Sequence, residues 1–278
     1  PEASSSTALV SSNLNIPQDH PLSESGIQDI FIQTLENNIR IGFFGLLGDG
    51  ASQLAPEMTP LTIDDPNEAG AAAVERLKEM DVDIIIAVTH SGVEEDLALA
   101  EAVEGIDLIV GGHSHDALEE PIMAGETILV QTGAHLRNVG VLELAYNQDN
   151  GQIRLRNEDT GQPFLVPLDD SIPADPYAVE SAEYFTALLG ELIQEMTEGQ
   201  FASITDTVAY SHFSLPNGPP LQEAPFGNFV ADAMRFVAEE ITGEKVDIAF
   251  QANGSIRGSL EPGTMEYSQG QISFYDLT

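Results

Sequence analysis

The chain of 278 residues is long enough for one large domain or two of ordinary size, and 42% hydrophobic residues suffice for a substantial core. With 46 acidic residues against 9 lysines and arginines, the net charge is −37, which repels nucleic acid phosphates and anionic membrane surfaces and excludes binding to a nucleic acid polymer. The acids are spread along the whole chain, and we interpret this pattern as adaptation to high salt.

Cysteine and long apolar segments are both missing from the sequence. Without cysteine, a disulfide, a thiolate metal ligand and a cysteine nucleophile are excluded. No apolar run reaches the roughly 18 residues that a membrane span requires. No signal-like segment follows Pro1, so we expect any export signal to lie outside this sequence.

The first half of the chain alternates between strand and helix patterns. The predicted elements are strands at 4–14 and 40–47, a loop at 56–67, a helix at 68–80, a strand at 82–88, a helix at 94–103 and a strand at 106–110. The run VDIIIAV is typical of a strand buried on both faces, whereas both helices carry apolar residues at helical spacing. The alternation predicts a parallel sheet with right-handed crossovers and helices on both faces.

The second half carries hairpin signals, a proline-rich segment and longer helices. We predict strands at 127–131, 140–145 and 152–156, a long amphipathic helix with an apolar stripe from 179 to 196, a helix capped by Asn228 and a strand at 245–250. The stretch 163–176 holds four prolines and marks a linker. We therefore expect an α/β protein, α+β overall, with domains at 1–165 and 200–278 joined by a linker and long helix at 166–199.

Three histidines follow two neighbouring buried strands. His90 lies just beyond VDIIIAV, and His113 and His115 lie just beyond IDLIV in the loop GGHSHD. Because consecutive strands of a βαβ unit are usually neighbours, all three imidazoles are expected at one carboxyl edge of the sheet. Imidazole binds Zn, Mn and Fe, and Gly111 and Gly112 allow a tight loop around an ion, so the pattern indicates a metal site, with solvent-exposed or core histidines as the alternative of about equal weight.

Several segments together resemble the 5'-nucleotidase family. They are VTHSG, GIDLIVGGHSHD, QTG followed by NVG, and then FGNFVADAMR, VDIAF and NGSIRG, in the order found in that family across nearly the whole chain. The resemblance implies a calcineurin-like metallophosphoesterase layered sheet, followed by a smaller α/β nucleotide-binding domain. It also implies two divalent metal ions, Zn, Mn or similar, with His90 and His113 on one ion and His115 on the other.

The other motifs of the family site are expected outside this sequence. The family also has Asp-x-His, Gly-Asp and Gly-Asn-His motifs, and none of them precedes Asn13. The segment SSNLN resembles the residues that come after the Asn-His motif in the family, so we expect the catalytic residues upstream of Pro1 and a family member truncated at both ends. For Asp49, after a strand, we favour a turn residue over a bridging ligand, and for Asp116 a cap or turn.

The resemblance extends to a phosphate contact in the second domain. In NGSIRG, the guanidinium of Arg257 is suited to bind phosphate oxygens in a bidentate manner, and Asn253 is a second candidate substrate contact. The alternative for Arg257 is a surface salt bridge. The base-stacking aromatics of the family lie downstream of QISFYDLT, so the preferred base is not predicted. His135 is a candidate neighbour of the metal loops, with an ordinary loop histidine as the alternative.

The resemblance implies metal-dependent hydrolysis of nucleotide phosphate monoesters, with a nucleotide or other small phosphoester as substrate, in the periplasm or outside the cell. We expect this chain alone to be poorly active. Two alternatives stay open: a 2',3'-cyclic-nucleotide phosphodiesterase of the same family, and a non-catalytic acidic extracellular module that binds cations. The upstream motifs would discriminate the enzymes from the binding module.

Overall fold

A computed structural model describes residues 7–50, 58–169, 171–218, 222–252, 255–256, 258–264 and 269–277. The fold is mixed α/β, as the sequence predicts. Contacts between Cα atoms divide the chain into two compact units, Pro1–Ile172 and Pro173–Thr278. The finer division at 165 and 199 stays a prediction.

The first unit contains fourteen strands in its described part. In chain order they are β1 (Leu9–Val10), β2 (Leu14–Asn15), β3 (Ile27–Gln28), β4 (Ile30–Thr34), β5 (Arg40–Leu47), β6 (Thr62–Ile63), β7 (Ile84–His90), β8 (Leu108–Val110), β9 (Ile122–Ala124), β10 (Thr127–Val130), β11 (Asn138–Gly140), β12 (Leu144–Asn147), β13 (Gln152–Leu155) and β14 (Leu165–Pro167). Its helices are α1 (Pro66–Glu79), α2 (Val93–Ala102) and α3 (Asn157–Thr160), with a 3-10 turn at Pro21–Glu24.

A six-stranded sheet with the order β4-β5-β7-β8-β10-β9 organises this unit. The strands β5, β7, β8 and β10 are parallel, while β4 and β9 pair antiparallel at the two edges. Leu47 pairs with His90 and Val110 pairs with Val130, so the four parallel strands end along one line. The loops that follow these strands therefore share one edge of the sheet.

Both crossover helices lie on the same face of the sheet, which corrects the prediction of helices on both faces. A single buried cluster joins them to it, formed by Phe44, Leu46, Ala73, Val74, Leu77, Ile85, Ala87, Leu99, Val103, Ile106, Ile109 and Leu129. Because β5, β7, β8 and β10 follow one another in one direction, right-handed crossovers place α1 and α2 on one side.

The opposite face of the sheet is covered by β structure. Leu108, Ile128, Val130 and Phe164 form a second buried cluster, against which Leu144 and Ile153 of the β12–β13 hairpin pack. The turn QDNG joins these two strands as the sequence predicts, but the single strand expected at 140–145 is divided between β11 and β12. The strand expected at 4–14 is likewise two short strands in its described part, β1 and β2.

The second unit contains two long helices and a two-stranded sheet in its described part. The elements are α4 (Pro176–Met196), β15 (Thr207–Tyr210), α5 (Pro225–Thr242), β16 (Gln271–Ser273) and a 3-10 turn at Tyr275–Leu277, with β15 and β16 antiparallel. Asp175 caps α4 by accepting hydrogen bonds from the amides of Tyr177 and Ala178. No helix in the described ranges has the length and apolar character needed to span a membrane.

Two sequence predictions in this unit are wrong. Asn228 is not the cap of α5, because Pro225 occupies the first position and the helix begins four residues earlier than a cap at Asn228 would place it. The segment 245–250 is not a strand. Ile248 and Phe250 are exposed, and the amide of Val246 donates to the Glu239 side chain, so this segment makes no sheet pairing among the described residues.

Salt should stabilise the fold. Repulsion within a net charge of −37 is unfavourable, and the five ion pairs found in the described part of the chain are all exposed, so each contributes little. Screening at molar salt reduces the repulsion. We expect the melting temperature to rise from low to molar KCl, and a midpoint that stays constant or falls would contradict the high-salt interpretation.

Candidate functional site

His90 and His113 meet at the carboxyl edge of the parallel strands. His90 is the last residue of β7, and His113 follows β8 through Gly111 and Gly112. The distance between His90 Nε2 and His113 Nδ1 is 3.3 Å, and the two ring centroids lie 4.9 Å apart at an interplanar angle of 69°. The adjacency of β7 and β8 brings to one edge two imidazoles that are 23 residues apart in sequence.

The imidazole pair has the spacing of two ligands on one ion. With Zn–N bonds of about 2.0–2.1 Å, two ligands of a tetrahedral shell lie about 3.3–3.4 Å apart, which matches the distance between the two ring nitrogens. Burial, and then the neighbouring imidazoles of His113 and His115, lowers the pKa of His90, which favours the neutral form that binds metals. Within the described ranges, however, no group of three or more histidine or carboxylate side chains is arranged to hold an ion.

His115 has a different neighbour. Its ring centroid lies 5.8 Å from that of His135, with the rings edge to face, so the loop after β10 contributes a fourth imidazole. His113 and His115 have φ of 79° and 62°, in the left-handed region. Each such residue costs about 1–2 kcal/mol, so the loop between β8 and β9 needs support from its surroundings.

The segment after β5 lies beside the same edge. The Gly48 amide donates to the main-chain oxygen of His90 at 3.2 Å, and the Glu95 carboxylate accepts from the amides of Asp49 and Gly50, both at 2.9 Å. A Cβ added to Gly50 would lie 3.7 Å from His113 Nε2. Asp49 is therefore close to the carboxyl edge of the sheet that carries His90 and His113, which we call the histidine edge. Its role as a turn residue or a ligand stays a prediction.

A buried carboxyl group lies next to the loop GGHSHD at 111–116, which carries His113 and His115. Asp96 of α2 is 0% exposed, and neither of its carboxyl oxygens has a hydrogen-bond partner among the described residues. The nearby Thr89 hydroxyl is also unpartnered there, and a Cβ on Gly111 would collide with the Asp96 side chain. Burial raises the pKa of Asp96 to about 6; the Thr89 hydroxyl opposes this shift through a contact that falls short of hydrogen-bond geometry, and the charge of Glu95 assists the shift.

The remaining predicted site residues have different outcomes. Asn253 and Arg257 lie outside the described residues, so their placement stays a prediction. Asp116 is the last residue of the loop GGHSHD at 111–116, and its amide donates to the Gln131 side chain at 3.0 Å.

Three polar residues of this edge were not predicted from the sequence: Glu95, Asp96 and Gln131. Gln131 is the last residue of the strand predicted at 127–131, and His90 lies two residues beyond the strand predicted at 82–88, so a polar residue at a strand end was an available signal. Asp96 lies on the same helical stripe as buried Leu99 and Val103, at i, i+3 and i+7. Its place in the acidic run EED makes it look like a surface residue.

Comparisons with known proteins agree with the resemblance in sequence. Residues 202–277 match the family described as 5'-nucleotidase, C-terminal domain. The chain is 27% identical over 247 residues to the trifunctional nucleotide phosphoesterase protein YfkN of Bacillus subtilis, covering 86% of this chain and 16% of that protein. It is 26% identical over 290 residues to the 5'-nucleotidase of Bos taurus, covering 95% of this chain and 47% of that one.

A solved structure shares the fold. The 5'-nucleotidase precursor of Thermus thermophilus superposes with a TM-score of 0.73 at 22% identity, covering 96% of this chain and 51% of that one. The chain thus spans about half the length, or less, of the relatives it matches. The family match in the second unit, the relatives in sequence and the shared fold together support a member of the 5'-nucleotidase family.

Proposed function

We propose that the protein takes part in metal-dependent hydrolysis of nucleotide phosphate monoesters. The observation that carries this proposal is the pair His90 and His113, with 3.3 Å between two ring nitrogens at the carboxyl edge of a parallel sheet. In open α/β sheets this edge is where ligands bind. Two relatives in sequence, a nucleotide phosphoesterase and a 5'-nucleotidase, support the substrate class.

Each candidate residue has a defined task in this proposal. His90 and His113 hold one divalent ion, and His115 contributes to a second. When bound, the ions supply an activated water molecule and polarise the phosphoryl oxygens. Arg257, with Asn253, binds the substrate phosphate through charge-assisted hydrogen bonds. We propose that the protein acts in the periplasm or outside the cell.

We further propose that this chain turns nucleotides over poorly by itself. Two cations a few Å apart repel each other, and they need bridging carboxylates to occupy one site. Among the described residues, no group of three or more histidine and carboxylate side chains is arranged to hold an ion. A single weakly held ion is therefore the expected state of the isolated chain.

Chromatographic analysis of the products distinguishes the possible substrates, because hydrolysis of AMP releases inorganic phosphate and a nucleoside, whereas opening of a 2',3'-cyclic nucleotide yields a nucleoside monophosphate. The wild-type chain and His90→Ala should be incubated with Mn²⁺ or Zn²⁺ and either AMP or a 2',3'-cyclic nucleotide. We expect slow phosphate release from AMP that His90→Ala abolishes. Preferential opening of the cyclic diester would favour the phosphodiesterase, and metal binding with no turnover of either substrate, also after upstream extension, would favour a cation-binding module.

A further inference from the structure

Gln131 is a buried amide at the end of β10 whose side chain reaches into the histidine loop. It is 1% exposed. Its Oε1 accepts a hydrogen bond from the Asp116 amide at 3.0 Å, and its Nε2 donates to Ser114 Oγ at 3.1 Å, with Ser114 Oγ also 3.3 Å from Oε1. One side chain therefore fixes two positions of the loop that carries His113 and His115.

Ser114 extends this contact to the helix that follows His90. Its Oγ accepts a hydrogen bond from the Val93 amide, the first residue of α2, at 3.3 Å. Ser114 lies between His113 and His115 in sequence. Holding Ser114 in place therefore also restrains the backbone of the two histidines on either side. The three contacts join the ends of β7, β8 and β10 through Gln131, Ser114 and Val93.

The loop requires such support because its backbone is strained. Both His113 and His115 adopt positive φ, which residues with a Cβ rarely do without compensation. A loop free of Gln131 would relax towards ordinary backbone angles. The 3.3 Å separation of His90 Nε2 and His113 Nδ1 would then be lost.

We propose that Gln131 is a positioning residue: its buried amide holds the loop at 111–116 so that His113 faces His90. The proposal rests on the proposed function for the ligand of these imidazoles, but the position of the loop does not depend on it. Groups that orient metal ligands typically contribute 10- to 100-fold to metal affinity.

The test replaces Gln131 by methionine, which keeps the length of the side chain but removes both hydrogen-bonding groups. We expect amide hydrogen exchange at Asp116 to accelerate by up to about 10-fold in the metal-free protein, because the amide loses its acceptor. Zn²⁺ affinity, measured by calorimetric titration at high KCl, should fall about 10- to 100-fold. The Leu118 amide is an internal reference, because it donates to the main-chain oxygen of Gln131, which the substitution retains.

Thr127→Val is the matched control at the other end of the same strand. Thr127 is buried and donates its hydroxyl to the Ile106 carbonyl at 2.7 Å, so its loss should lower the melting temperature without changing Asp116 exchange or Zn²⁺ affinity. Wild-type exchange at Asp116 together with wild-type affinity in Gln131→Met would overturn the proposal. Equal loss of affinity in both variants would also overturn it.

A second variant and the wild-type protein complete the design. If Gln131→Met does not fold, Ser114→Ala tests the same connection at an exposed position, with faster Val93 exchange and weaker Zn²⁺ binding expected. Unchanged exchange and affinity in that variant would count against the proposal. If wild-type protein binds no Zn²⁺ at the histidine edge, the proposed metal centre is contradicted, while Asp116 exchange still decides the role of Gln131.

Discussion

Replacing His90 by alanine should reduce Zn²⁺ affinity at the histidine edge by about 100-fold or more. The neutral imidazole of His90 supplies one of the two ring nitrogens that lie 3.3 Å apart. Losing a direct ligand should lower metal affinity by more than the 10- to 100-fold that is typical of losing a residue that orients a ligand. His90 ends a regular strand, so alanine introduces no backbone strain there, whereas His113 has a positive φ.

The control for this substitution is His212→Ala. His212 is an exposed histidine in the second unit. The affinities should be measured by calorimetric titration at molar KCl, because salt screens the acidic surface and suppresses weak binding of Zn²⁺ to it. Equal affinities for the wild-type chain and His90→Ala would show that the edge does not hold the ion.

Replacing Asp96 by asparagine should stabilise the metal-free protein at neutral pH. The pKa of Asp96 is raised from 3.8 to about 6 by burial, so the folded state binds a proton that the unfolded state releases between these values. The free energy of unfolding therefore falls as pH rises through this window, by up to about 3 kcal/mol. Asparagine is neutral throughout and avoids this loss. We expect a gain of about 1–3 kcal/mol at pH 7.5 that disappears near pH 4.

Chemical denaturation in EDTA at pH 4, 6 and 7.5 measures the effect of Asp96→Asn. Glu94→Gln is the matched control, because Glu94 is an exposed acid in the same first turn of α2. Its unfolding free energy should change little and show no such pH dependence. If Asp96→Asn is less stable than the wild-type chain at pH 7.5, the carboxylate has a favourable partner and the account of its burial is wrong.

Much of the sheet is predictable because its strands are local patterns. The stretch RIGFFGLL predicts a strand over the same residues that form β5, and VDIIIAV overlaps β7 to within two residues at each end. The position of His90 and His113 at one edge follows from the usual adjacency of consecutive parallel strands. These predictions need only periodicity and chain order.

The features that were not predicted depend on contacts between distant parts of the chain. The placement of both helices on one face follows from the strand order, which the sequence does not state. Asp96 and Gln131 are polar residues whose burial is decided by tertiary packing. The segment 245–250 has the pattern of a buried strand, yet a strand forms only where a neighbouring strand pairs with it.

Anomalous diffraction from crystals grown with Zn²⁺ tests the central claim most directly, because the strongly acidic surface can also bind zinc and a solution titration averages over all sites. We expect an anomalous peak about 2.0–2.1 Å from both His90 Nε2 and His113 Nδ1. Zinc found only on surface carboxylates, with no peak at these two nitrogens, would contradict it.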